Sequence, residues 1–237
     1  MKNNFLYPAF EHWLEKGGNI WVISDPHFSD PEMVYLRKDY IGDEEQIRRI
    51  NSKVGKNDVL IILGDIGNEE KVAKLKGYKV LVMGNHDRGK TNYQRRIDRI
   101  EKISSEDFSL GDIKAIKNFF SKGELGEVEN IYNQHIEIEF RDNKLFDEVY
   151  DGPLFISNKV LLSHEPINLP FVYNVHGHDH SNMCPPEHGI NVCAEWINYT
   201  PISLLDIFKK GALKEVEDLH RITIDTATER KKLKERK

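Results

Sequence analysis

The sequence predicts an α/β fold organised around parallel strands, and three observations predict it. Short β-prone apolar runs end at a polar residue three times: Ile20–Ile23 before Ser24-Asp25, 59–63 before Gly64-Asp65, and 80–83 before Gly84-Asn85. Helical spacing fills the intervals, with Ile47 and Ile50 on one face of Asp43–Lys53 and a shorter helix over 69–75. Such β-α-β-α-β alternation sets strands parallel with helices against the sheet, and ligands then gather beyond the strands' carboxyl ends. Asp25, Asp65 and Asn85 are expected at that edge.

The remaining elements follow from local pattern. Phe10, Trp13 and Leu14 recur at helical spacing after Pro8, and the Gly17-Gly18 pair ends that helix. Residues 91–150 break the rhythm, with charged helix-like stretches at 93–102 and 108–121 and an alternating, exposed strand at 135–140, so they read as an insertion or small cap. Strand candidates at 159–162, 171–175 and 190–193, with turn chemistry between them, predict a second and more antiparallel sheet. One domain over 1–225 is expected, followed by a basic, solvated and flexible tail over 226–237.

Composition narrows the function classes. The 237 residues carry 34 Lys plus Arg against 39 Asp plus Glu, a formal charge of −5 that argues against general coating of nucleic acid. Cys184 and Cys193 are the two cysteines. A disulfide-dense secreted scaffold is excluded, and two free thiols in a reducing cytoplasm are expected. The longest uninterrupted apolar run, 59–63, falls far short of a membrane span, and the opening residues carry charge where a signal peptide needs an apolar stretch. A soluble protein with no membrane partner is the expectation.

The chemistry is concentrated in histidine. Six of the ten histidines stand in Asp25-Pro26-His27, Gly84-Asn85-His86-Asp87, Ser163-His164-Glu165 and His176-Gly177-His178-Asp179-His180. Imidazole, carboxylate and amide oxygen form a borderline-to-hard donor set, suited to Mn²⁺, Fe, Zn²⁺ or Co²⁺ and ill suited to Cu(I) or an iron–sulfur cluster. Residues i and i+2 of an extended segment share a face, so Asp25 and His27 can grip one ion. Seven good donors are on offer: Asp25, His27, Asp65, Asn85, His164, His178 and His180. That is more than one ion needs. Two ions are the economical solution, with the Asp65 carboxylate shared between them about 3.5 to 4 Å apart.

Asp25-x-His27, Gly64-Asp65, Gly84-Asn85-His86-Asp87, His164 and Gly177-His178-x-His180 occur in an order that resembles the calcineurin-like metallophosphoesterase superfamily. The resemblance implies a β-sandwich of two mixed sheets flanked by helices, a four-layer α-β-β-α arrangement. It implies that Asp25, His27, Asp65 and His180 hold a first ion, and that Asp65, Asn85, His164 and His178 hold a second. Two divalent ions are thus the implied cofactors, Mn²⁺ foremost, with Fe, Zn²⁺, Co²⁺ or Ni²⁺ as alternatives.

The implied reaction is hydrolysis of a small phosphomonoester or phosphodiester by a hydroxide bridging the two ions, with His86 as general acid toward the leaving oxygen. Many relatives read GDxxD, whose second acid orients the catalytic imidazole. Here Asn68 stands in that place, and an amide cannot supply the charge that stabilises an imidazolium. Asp87 is the candidate substitute. Arg88, next in the chain, is a candidate phosphate clamp by bidentate hydrogen bonding. A nuclease acting on DNA or RNA and a silent metal-binding scaffold are the competing functions. The acidic charge disfavours the first, and the retained donors and His86 disfavour the second.

Overall fold

The computed structural model describes residues 7–37, 39–87, 96–100, 140–143 and 145–235. Two mixed sheets form its framework. The first has five strands: β1 (Ile20–Ile23), β2 (Val59–Ile62), β3 (Tyr78–Val82), β6 (Glu148–Tyr150) and β11 (Ile202–Ser203), in the order β11-β1-β2-β3-β6. β1, β2, β3 and β6 run parallel, while β11 pairs antiparallel with β1. The second sheet orders β10 (Gly189–Asn191), β9 (Tyr173–His176), β8 (Val160–Leu162) and β7 (Leu154–Ser157).

Strand period and burial explain the layering. Side chains alternate faces along a strand, so Leu60 and Ile62 of β2 enter one core with Ile23 and Leu81. On that side lie Ile47 and Ile50 of the helix Asp43–Lys53, together with Phe146. Val59, Ile61 and Leu63 enter the other core with Val22, Val80 and Val82, packed on Val160, Leu162 and Val175 of the second sheet. All four β2 residues are fully buried, as expected of a parallel strand covered on both faces. Each such Ile or Leu stabilises the fold by about 1.5–3 kcal/mol, and truncating Ile61 to Ala is expected to cost about 2–5 kcal/mol.

The helix before the glycine pair spans Pro8–Glu15, and Asp43–Lys53 has the expected bounds. The shorter helix is of 3-10 type, Glu69–Lys74, capped by the Asn68 side chain accepting from the Glu70 amide at 3.0 Å. Four expectations change. The second sheet is more parallel than its turn chemistry suggested, because β8–β9 and β9–β10 pair parallel and only β7–β8 is antiparallel. Long connections at 163–172 and 177–188 carry the chain back across the sheet, where a tight hairpin would have reversed it.

The charged stretch at 93–102 contains a strand, β4 (Arg96–Ile100), paired antiparallel with β5 (Phe140–Asn143). Propensity is a weak prior that pairing overrides. The stretch at 108–121 and residues 135–139 lie outside the described residues. The end of the expected insertion belongs to the main body, since Leu145 and Phe146 are buried and β6 extends the first sheet. Finally, the described part of the expected tail, residues 226–235, is helical. The helix Leu219–Glu235 runs through 226, with Arg221–Asp225 and Lys231–Glu235 ion pairs one turn apart. No described helix is long and apolar enough to cross a membrane.

Candidate metal centre

Each candidate donor sits just beyond the carboxyl end of a strand. Asp25 and His27 follow β1, Asp65 follows β2, Asn85 opens a 3-10 turn (Asn85–Asp87) after β3, His164 follows β8, and His178 and His180 follow β9. The two sheets thus deliver donors to one edge of the sandwich. Asp25, His27, Asp65 and His178 have φ values of 56°, 44°, 52° and 65°, in the left-handed region. Such residues cost roughly 1–3 kcal/mol each and concentrate at functional sites, although Asp and His tolerate the region better than most.

Close approach of backbone sets the rest. A Cβ on Gly84 would lie 2.8 Å from the Asp65 nitrogen and 2.9 Å from His164 Cε1, and would collide with Asp65 Oδ1. At Gly177 it would collide with Ser24 and with Asp25 Oδ2. These positions leave no room for a side chain.

Two groups form among the expected donors, and a third brings His180 together with Cys193 and Glu195. Asp25, His27 and His180 offer atoms all within 4.8 Å of one another, and so do Asp65, His164 and His178. In the first, Asp25 Oδ1 is 3.9 Å from His27 Nε2 and 3.6 Å from His180 Nε2. In the second, His164 Nε2 lies 3.4 Å from Asp65 Oδ2, 3.1 Å from His178 Nδ1 and 2.8 Å from Asn85 Oδ1. Asp65 joins them, because its Oδ2 is also 3.6 Å from His27 Nε2. All seven expected donors are therefore brought together.

Hydrogen bonds aim the free lone pairs inward. Asp25 Oδ2 accepts from the His178 amide at 2.8 Å and from the Cys193 thiol at 3.3 Å, leaving Oδ1 buried and without a hydrogen-bond partner. His27 Nδ1 meets Asp30 Oδ2 at 3.2 Å, and its buried Nε2 likewise lacks a partner. His164 Nδ1 meets the Leu63 carbonyl at 2.8 Å, which fixes the tautomer that frees Nε2. Buried polar atoms normally find partners. Orphans facing a carboxylate and an imidazole match a divalent cation in chemistry as well as geometry.

Electrostatics agree. Burial would raise the Asp65 pKa, but hydrogen bonds from His164 and the His86 amide, together with nearby imidazole charge, take it down to about 2. Burial would lower that of His164, yet Asp65 and Asp25 carry it up to about 9, so a cation binding at Nε2 would have to displace a proton there. Burial and the Arg37 charge keep His27 low, so it stays neutral and able to donate a lone pair.

The residues expected to do chemistry differ in placement. The His86 side chain is 65% exposed, with Nε2 3.9 Å from Asp65 Oδ2, while its amide donates to Asp65 Oδ1 at 3.0 Å. Asp87 is fully buried, and its carboxylate accepts from the amides of Asp65 (2.8 Å), Gly84 (2.9 Å) and Ile66 (3.1 Å). It joins the two donor loops, a different task from orienting His86. Arg88 lies outside the described residues. His176 is buried, its Nδ1 against the Gly177 carbonyl at 3.0 Å.

Sequence reasoning missed Asp30, Arg37 and Glu195. Asp30 stands three residues after His27, a spacing that could have flagged it, whereas Arg37 and Glu195 reach the centre from distant segments with no local signal. Both cysteines are free, Cys184 exposed and Cys193 buried beside Asp25.

The family model described as calcineurin-like phosphoesterase matches residues 18–200, which contain every donor above. Among solved structures, the chain is similar to the protein of unknown function AQ665 from Aquifex aeolicus. The two are 23% identical with a TM-score of 0.50, over 81% of this chain and 99% of that one, a likeness of fold alone. No curated protein matches the chain. With the motifs in order along the matched span and their side chains gathered at one sandwich edge, the chain belongs to the calcineurin-like phosphoesterase family.

Proposed function

We propose that this protein hydrolyses a small phosphoric ester with two divalent ions, one held by Asp25, His27, Asp65 and His180 and the other by Asp65, Asn85, His164 and His178. The observation that carries the reading is Asp65 Oδ2, placed 3.6 Å from a nitrogen of the first group and 3.4 Å from a nitrogen of the second. When bound, the ions would lower the pKa of water and polarise phosphoryl oxygens, and Mn²⁺ is the expected occupant.

The chain's own residues supply the rest. Asp65, held ionised and aimed by the His86 amide, is the shared acceptor. Asp87 keeps the β2 and β3 loops in register so that Asp65 and Asn85 stay opposed. The exposed His86 ring stands at the open side of the centre, where an imidazolium can give its proton to the departing ester oxygen.

The test is to strip the protein with a chelator and supply Mn²⁺, Fe²⁺, Zn²⁺, Co²⁺ or Ni²⁺ in turn. p-Nitrophenyl phosphate and its bis ester serve as monoester and diester probes. Turnover is expected to vanish on stripping and to return best with Mn²⁺. Failure to cleave either ester with any of these ions would overturn the reading.

A further inference from the structure

The turn at 193–196 reaches the first donor group through three of its four residues. The Cys193 thiol donates to Asp25 Oδ2 at 3.3 Å, Glu195 Oε1 meets His180 Nδ1 at 2.5 Å, and Trp196 Nε1 donates to the His180 carbonyl at 3.0 Å. Arg37, only 7% exposed, joins the same cluster. Its Nη1 donates to the Asp25 carbonyl at 3.2 Å and lies 3.3 Å from Glu195 Oε2. Its Nη2 is 3.0 and 3.2 Å from the two nitrogens of the His180 ring. A single nitrogen so nearly equidistant from both ring nitrogens lies against the edge or face between them, while Glu195 takes the Nδ1–H direction.

We infer that Glu195, neutralised by Arg37, is a positioning residue that sets His180 for the first ion. This rests on the reading proposed above. His180 lies in the loop after β9 and is more exposed than Asp25 or His27, so its ring orientation depends on its polar partners. Accepting the Nδ1 proton selects the tautomer whose lone pair is on Nε2, the atom 3.6 Å from Asp25 Oδ1. Carboxylate–imidazole–metal relays of this type raise ligand basicity, and losing the outer partner typically weakens binding about 10- to 100-fold. Arg37 makes the arrangement affordable, since a second carboxylate beside Asp25 would otherwise be buried without a counter-charge. Trp196 fixes the same residue's main chain, so His180 is held at both ends by adjacent residues.

The experiment titrates Mn²⁺ into chelator-stripped wild type, Glu195→Ala and Glu195→Gln by calorimetry, with ion content read by elemental analysis and folding by thermal melting. Wild type is expected to take two ions. Glu195→Ala is expected to keep one binding step unchanged and weaken the other about 10- to 100-fold. Glu195→Gln should fall between, because an amide oxygen still accepts the Nδ1 proton without the charge. A folded Glu195→Ala protein that binds both ions as wild type does would overturn the inference and leave the proposed function standing. If that variant fails to fold, wild-type affinities in Glu195→Gln would overturn it instead. Wild type that binds no Mn²⁺ would sink both.

Discussion

The carboxylate of Asp87 accepts the main-chain N–H of Asp65 at 2.8 Å, so the residue whose carboxylate reaches both candidate donor groups is held through its own backbone by one that is itself fully buried. Asp87→Asn keeps the shape but turns one oxygen into an amide group, at least cost where it replaces Oδ1 and faces the Ile66 donor, since Oδ2 accepts from both Asp65 and Gly84. One buried N–H then loses its acceptor, a loss of about 1–3 kcal/mol. Urea unfolding of the stripped protein is expected to show that drop, and Mn²⁺ affinity should fall with it. Unchanged stability would mean that these three hydrogen bonds do not hold the loops together.

His86 presents the opposite case, a side chain close to the centre that the fold does not need. Its ring is largely exposed and its contribution to Asp65 comes from the main-chain amide, which any residue provides. His86→Ala is therefore expected to bind both ions as wild type does while losing about 10²- to 10⁴-fold in kcat on p-nitrophenyl phosphate. Full activity would remove His86 as the acid.

Gly84 tests the tightness of the centre with one methyl group. A Cβ there meets the Asp65 carboxylate and His164, both fixed by buried hydrogen bonds. Gly84→Ala should displace Asp65 and lower the ion content measured by elemental analysis. Gly152→Ala is the control, since a Cβ at that position meets nothing within 4 Å. Equal ion content in the two variants would show that the loops yield more easily than their packing implies.

What was legible in the sequence divides along physical lines. The strands β1, β2 and β3 and the helix Asp43–Lys53 could be read because burial imposes a local period, and the seven candidate donors stood out because imidazole, carboxylate and amide cluster in short motifs. The direction of the second sheet was not legible. Pairing direction depends on where the connections at 163–172 and 177–188 run, and their composition does not encode a path. Arg96–Ile100 was misread for a related reason, since a charged segment carries no mark of the partner strand that recruits it. Glu195 and Arg37 escaped because a contact between residues this far apart in the chain leaves no spacing to detect.

Glu148 provides a pH test away from the candidate metal centre. Its carboxylate accepts from Trp13 Nε1 at 3.2 Å, Tyr78 Oη at 2.7 Å and Tyr150 Oη at 2.5 Å, tying the first helix to strands β3 and β6. Burial alone would raise its pKa, but these donors hold it below the ordinary value of 4.5. A carboxyl lower in the folded than in the unfolded chain stabilises the fold fully above that ordinary value. The contribution disappears as the pH falls through the folded value. Glu148→Gln retains one acceptor oxygen and cannot titrate. The gap between wild-type and variant urea midpoints should therefore stay constant from pH 8 to about 6 and narrow as the pH drops below about 4.5. A gap as wide in acid as at neutrality would mean that the stability supplied by Glu148 comes from packing, and that its charge contributes nothing to the three bonds.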